Sequence, residues 1–181
     1  RHYGIPGPAG IDFQKVALPV GSHRGGVLTQ ASVLKVTSDG TRTSPVLRGA
    51  WVLDRILGKP PSPPPPDVPA IEPDIRGATT IREQLEKHRS VESCASCHRE
   101  IDPPGFALES FDVIGGWRDH YRSTGNGKEV VIAGQRMPYL QGPAVDSADV
   151  LPDGRKFASV DEFKQLLAAE PELFARALTI N

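Results

Sequence analysis

The chain has 181 residues, with 21 Lys or Arg against 22 Asp or Glu, so it carries almost no net charge. That balance argues against a nucleic-acid binder, which would present a basic surface, and no apolar run nears the roughly 20 residues that span a bilayer. Hydrophobic residues reach only 38% while Gly and Pro supply 18 each, so a modest core is expected, one that a large apolar cofactor would enlarge. Residues 1–26 are Gly-rich with scattered Ile5, Ile11, Phe13, Val16 and Leu18, and read as extended or looping. "GGVLTQASVLKVTS" (25–38) fits a strand or a short helix equally. In "TSPVLRGAWVLDRILG" (43–58), Thr43 or Ser44 caps a helix, Pro45 suits its first turn and Gly58 marks its stop. Val46, Ala50, Leu53 and Leu57 recur at helical spacing beside Trp51.

"KPPSPPPPDVPAIEP" (59–73) follows. Pro lacks an amide donor and fixes its own φ, so this stretch reads as a polyproline II-like connector or a strap across the surface, in preference to a docking motif. "TTIREQLEKHRS" (79–90) is a second helix, capped by Thr79 or Thr80, with Glu83 placed for a capping box. "GFALESFDVIGGWRDHYR" (105–122) mixes helical periodicity with a Gly-Gly break before Trp117. "EVVIAG" (129–134) reads as a short strand and "LPDGRKF" (151–157) as a hairpin turn with Asp-Gly at its tip. "SVDEFKQLLAAEPELFARAL" (159–178) is helical, interrupted or restarted at Pro171. The chain opens without Met and stops within an apolar helical pattern, which reads as a piece of something larger.

The only two cysteines stand in "SVESCASCHREIDPPGF" (90–106): Cys94 and Cys97, with His98 directly behind. A thioredoxin-like pair needs its Cys-x-x-Cys just after a strand in a βαβ framework, and here a helical segment precedes it. Structural zinc needs four ligands, and neither a second Cys-x-x-Cys nor a His-x3–5-His pair is present. Covalent haem attachment uses every cysteine. Two thiols on one helical turn can add to the two vinyl groups of a porphyrin, with His98 as proximal iron ligand.

"CASCHREIDPPGFALESFDVIGGWR" closely resembles the cysteine-containing domain of planctomycete-type cytochromes, which are large multi-domain proteins. "RHYGIPG", "RGGVLTQASVLKVTSDGTRTSPVLRGAWVLD", the Pro-rich stretch and "LPDGRKF" resemble its flanking segments, so nearly the whole chain is covered. The resemblance implies one c-type haem and a modular parent protein.

The second axial position has several candidates. Met137, the only methionine, precedes Pro138, and "Met-Pro" downstream of a haem motif looks like the distal ligand of small soluble cytochromes c. A gap-filling core Met or a strand position is the plain alternative. His88 and His2 fall in segments that match the family pattern and would give bis-histidine ligation, while His120 and His23 are weaker candidates. Arg89, Arg99, Arg118 and Arg122 could pair with haem propionates, with the Trp117 indole beside them. Phe106, Leu108, Phe111 and Ile114 would wall the haem or form core next to it. Asp146, Asp149 and Asp153 lack the spacing of a calcium loop and read as turn residues.

The expected fold is mainly α with long loops and a little β, a small c-type cytochrome-like haem domain with a proline-rich strap. Residues 1–58 would form an N-terminal extended segment plus a helix packed on the haem domain, 59–78 a proline-rich connector, and 79–181 the haem domain, truncated at its C-terminus. The expected function is electron transfer, within or onto a larger protein, by a single covalently attached haem c. Cys94, Cys97, His98, Phe106, Trp117 and Arg118 would bind the haem, and a redox protein or neighbouring domains of the parent chain would be the partner. Haem ligation of this kind is completed outside the cytoplasm, which implies a periplasmic or cell-surface location. A haem enzyme with an open distal position, or a binding module with a structural haem, are the alternatives.

Overall fold

The computed structural model describes residues 3–5, 7, 9–64, 79–90 and 92–180. His2 and residues 65–78 of the proline-rich stretch lie outside them, and 59–64 carry no regular secondary structure. After a looping start, a 3-10 turn (Val27–Thr29) leads into α1 (Ala31–Val36), so the ambiguous segment is helical. The α2 helix (Pro45–Trp51) begins as its sequence indicates: the Ser44 hydroxyl accepts the Leu47 amide and Pro45 sits in the first turn. It then widens into a π-helical turn (Val52–Ile56) that buries Val52, Leu53 and Ile56 before Gly58, at φ 61, ends it.

Two further helices carry the cysteine motif and its approach: α3 (Ile81–His88) and α4 (Glu92–Phe106). The α4 helix crosses α2 with backbone against backbone. A Cβ on Gly49 would overlap the Ile101 carbonyl, and one on Gly105 would overlap the Pro45 carbonyl. Glycine is required at both positions because no side chain fits between the helices. This contact fixes the half of α4 that follows the cysteines.

Turns over 107–119 lead to β1 (His120–Ser123), β2 (Lys128–Ile132) and β3 (Gln135–Ala144), an antiparallel sheet in the order β1-β3-β2. A hairpin of β4 (Asp149–Val150) and β5 (Lys156–Phe157), with Gly154 at φ 88 in its turn, precedes α5 (Val160–Ala168) and α6 (Pro171–Ile180). Pro171 therefore starts a new helix. Leu28, Leu34, Val52 and Ile56 share one core with Ala107, Leu108, Phe111, Phe157, Val160 and Phe163. A smaller cluster of Ile81, Leu85 and Phe106 seats α3 on the end of α4.

The mainly α, cytochrome-like expectation with a proline strap is overturned. The described residues hold six α-helices together with two antiparallel sheets, and neither a cytochrome-like arrangement nor a strap laid on the domain is found among them. The physical reason lies in the three-stranded sheet, which packs Tyr121 and Ser123 of β1 inward but leaves Val131 61% and Ile132 53% exposed. With so little apolar surface to bury, β1 and β3 need no apolar alternation, so only the valine-rich β2 stands out in the sequence. Among the described residues, no helix is long and apolar enough to cross a membrane.

Candidate functional site

The motif is delivered by α3, whose start is fixed by a reciprocal capping box. The Thr80 hydroxyl accepts the Glu83 amide at 3.2 Å, and the Glu83 carboxylate accepts the Thr80 amide at 2.7 Å. Those donors, the Thr80 amide first and its hydroxyl next, hold the Glu83 carboxyl below the usual glutamate range. Arg82 ties the helix down. Its guanidinium lies 3.9 Å over the Phe106 ring and reaches Asp149 at 3.1 Å and the Ala148 carbonyl at 2.7 Å.

On α4, positions 94, 98, 102 and 106 follow one another at intervals of four and so share a helix face, with 97 beside them. The stripe grades from half-buried to buried. Cys94 and Cys97 are free thiols of intermediate exposure, the His98 side chain is 13% exposed, and Asp102 and Phe106 are fully buried. His98 Nδ1 pairs with Asp102 Oδ1 at 2.8 Å. With Asp102 ionised, Nδ1 carries the proton and Nε2 is left as the nitrogen with a free lone pair. The second oxygen, Asp102 Oδ2, is buried without a hydrogen-bond partner, and Arg89 Nε lies 3.7 Å from it.

His88 stands edge-on to His98, with ring centroids 5.0 Å apart at 70°. Two imidazoles on opposite sides of one metal ion need centroids about 6 Å apart at the usual bond lengths. His88 is therefore placed as a neighbour of the His98 ring. Met137 lies half-buried on β3, which packs on β1 and β2, whereas α4 packs mainly on α2, the π-turn and β4. His120 is exposed on β1, and His23 pairs with Asp161 at 2.8 Å.

Trp117 and Arg118 sit together in a different region. Trp117 stacks on His23 at 3.6 Å, meets Phe111 edge-on, and donates its indole N–H to Asp119 at 3.0 Å. Arg118 belongs to a buried ion cluster that sequence reasoning missed. Glu109 Oε1 accepts Arg48 Nη1 at 3.2 Å, and Oε2 accepts Thr43 at 2.8 Å, Arg118 at 3.1 Å and Tyr121 at 3.1 Å. Arg48, with no exposed surface, also donates to the carbonyls of Leu108, Phe111 and Asp112. Burial pulls its guanidinium below the usual value while Glu109 opposes that shift. Burial first, and Glu109 second, push the Tyr121 phenol above its ordinary range. A cavity of about 170 Å³ opens beside this cluster, lined in part by Thr80, Glu109, Trp117, Arg118 and Tyr121.

Of the remaining expected residues, Arg89 reaches Asp102, Arg99 pairs with exposed Glu92 at 2.6 Å, and Arg122 lies over Tyr139 at 4.7 Å. Phe106, Leu108 and Phe111 are core, but Ile114 is 55% exposed. Asp146 and Asp149 pair with Arg82, and Asp153 with Arg155. No cluster of metal-ligating side chains occurs among the described residues. Two signals for the missed residues were available: Asp102 lies one helical turn beyond His98, and Glu109 is a lone acid inside the apolar run "FALESF".

The donor set on α4 fits a covalently held haem. Two uncommitted thiols three residues apart and an imidazole with one nitrogen already engaged could hold its two vinyl groups and its iron. The family model named PSCyt3, described as a protein of unknown function (DUF1588), matches residues 24–121, more than half of the chain and the whole cysteine motif. No curated protein and no solved structure matches.

Proposed function

The chain belongs to the PSCyt3 family, whose name points to a cytochrome-related domain, and from that premise we propose that it is a monohaem c-type electron-transfer domain. The observation that carries this reading is the His98–Asp102 pair at 2.8 Å, lying on the same helix face as two free half-buried thiols. Cys94 and Cys97 would each add S–H across one vinyl group, forming a C–S bond and placing the hydrogen on the neighbouring carbon. His98 Nε2 would hold the iron. When bound, the haem supplies an iron(III)/iron(II) couple that accepts one electron from a reduced protein or domain and passes one to an oxidised partner, with no bond made or broken. Thioether attachment of this kind supports an extracytoplasmic location and a partner that is a redox protein or another domain of a longer parent.

Production with a haem-attachment system tests the proposal. The expected product keeps its haem absorbance through denaturing electrophoresis and gains the mass of one haem. The Cys94→Ala/Cys97→Ala variant should lose both properties. A wild-type chain without bound haem would sink the reading.

A second reading, a haem with an open distal position that binds small ligands, has its own support. His88 packs edge-on against the His98 ring and Met137 lies on β3, an arrangement that supports an open sixth position. Carbon monoxide binding to the ferrous protein separates the two. A low-spin spectrum unmoved by carbon monoxide excludes the open site, and ready binding favours it.

A further inference from the structure

Asp102 has no exposed surface, and one of its two oxygens has no hydrogen-bond donor. Burying a carboxylate is costly unless its lone pairs are met, and a protein that needed only an acceptor for His98 Nδ1 could use a neutral Asn or a backbone carbonyl. Arg89 Nε, at 3.7 Å, is beyond good hydrogen-bond reach and neutralises the charge only in part. A half-satisfied buried charge of this kind calls for an explanation, and its single short contact is to His98.

We infer that Asp102 is a positioning residue acting through its charge: it fixes the His98 tautomer and orientation and makes the ring a more electron-rich iron ligand. This inference rests on the haem reading above. A carboxylate facing Nδ1–H draws the proton toward itself and leaves negative charge on the ring, which strengthens donation from Nε2. Extra donation favours iron(III) over iron(II), so the effect is a lower potential than a neutral partner would give. His88, edge-on to the His98 ring, hinders its rotation, and the Gly49 and Gly105 crossings hold the end of α4 on which Asp102 sits.

Asp102→Asn keeps the size and the acceptor while removing the charge. In the haem-loaded chain it should retain thioether-bound haem and move the one-electron equilibrium about tenfold toward the reduced form, about 59 mV more positive. Where the ferrous iron is five-coordinate, its iron–histidine stretch in resonance Raman spectra should also fall to lower frequency. A loaded variant with unchanged potential overturns the inference and leaves the haem reading standing. A second arm needs no haem. Long-range proton–nitrogen spectra of the folded, haem-free chain, at a pH where the ring is neutral, should show His98 as the Nδ1–H tautomer. Asp102→Ala should convert it to Nε2–H, and an Nε2–H ring in the wild-type chain overturns the positioning role. If no haem is ever taken up, the haem reading and the potential-setting role fall together, while this arm still decides whether Asp102 sets the tautomer.

Discussion

Two buried carboxylates lie on either side of Phe106, and the fold treats them in opposite ways. Glu109 has both oxygens engaged by two guanidiniums, a hydroxyl and a phenol. Asp102 has one imidazole on one oxygen and nothing within hydrogen-bond distance of the other. Both have no exposed surface, so burial alone does not separate them. Satisfaction does. A buried carboxylate with both oxygens engaged serves the fold, because removing it strands its donors, whereas one with an oxygen left short has been retained at a cost to stability and points to a task.

The sharpest way to break the contrast is to remove each charge and weigh the loss. Glu109→Ala leaves Arg48 buried without its counter-ion and should cost about 3–5 kcal/mol of unfolding free energy in urea. Asp102→Asn should cost much less, on the order of 1 kcal/mol, since it replaces a charge that was underpaired from the start. Equal losses in the two variants would erase the distinction.

Tyr121→Phe tests how complete the Glu109 shell is. It deletes one donor to a buried carboxylate while keeping the ring, which Arg118 covers at 4.6 Å. Hydrogen bonds to charged groups contribute about 1.5–3 kcal/mol, so the loss should fall below that of Glu109→Ala. Ultraviolet titration gives an independent reading. Burial and Glu109 raise the Tyr121 phenol, so it should stay protonated above the ordinary tyrosine range. The folded chain holds a proton that the unfolded chain releases, so stability falls as pH rises past the unfolded value. A Tyr121 that titrates with the exposed tyrosines would show the cluster to be open to water.

The sequence carried the parts of this molecule that local chemistry dictates. The Ser44 and Thr80 caps, Gly58 as a stop, the restart at Pro171 and the Asp-Gly hairpin all appear where short-range hydrogen bonding requires them. Parts that depend on distant partners were not legible. Arg118 reads in the sequence as a partner for a haem propionate, and its bonds to Thr43 and Glu109, 75 and 9 residues away, could not be seen there. The passage of α4 through Pro103 and Pro104 was equally hidden. Those prolines forgo two helical hydrogen bonds, and the close crossing with α2 at Gly49 and Gly105 holds the segment helical. For the cysteine motif the spacing identified the thiols and His98, while the geometry added the partner on the far side of the imidazole.

The smallest effect expected here comes from the start of α3, which touches both regions. Thr80 lines the cavity beside Glu109, and the other end of the helix brings His88 and Arg89 to His98 and Asp102. Thr80→Ala removes the cap and should cost about 1 kcal/mol. Because Ile81 and Leu85 anchor the helix against Phe106, fraying should stay in its first turn and leave the His98 environment unchanged. The variant also has a pH signature. The Thr80 amide, and then its hydroxyl, lower the Glu83 carboxyl, so the box contributes above the unfolded value and is lost as pH falls through the lowered one. Thr80→Ala keeps the backbone amide and loses only the hydroxyl, so wild type should lose stability on the acid side slightly more steeply, and the gap between the two curves should narrow at low pH without closing. Parallel curves would mean that the Thr80 hydroxyl does not donate to Glu83 in solution, and a shifted His98 tautomer in this variant would mean that the two regions are coupled through α3.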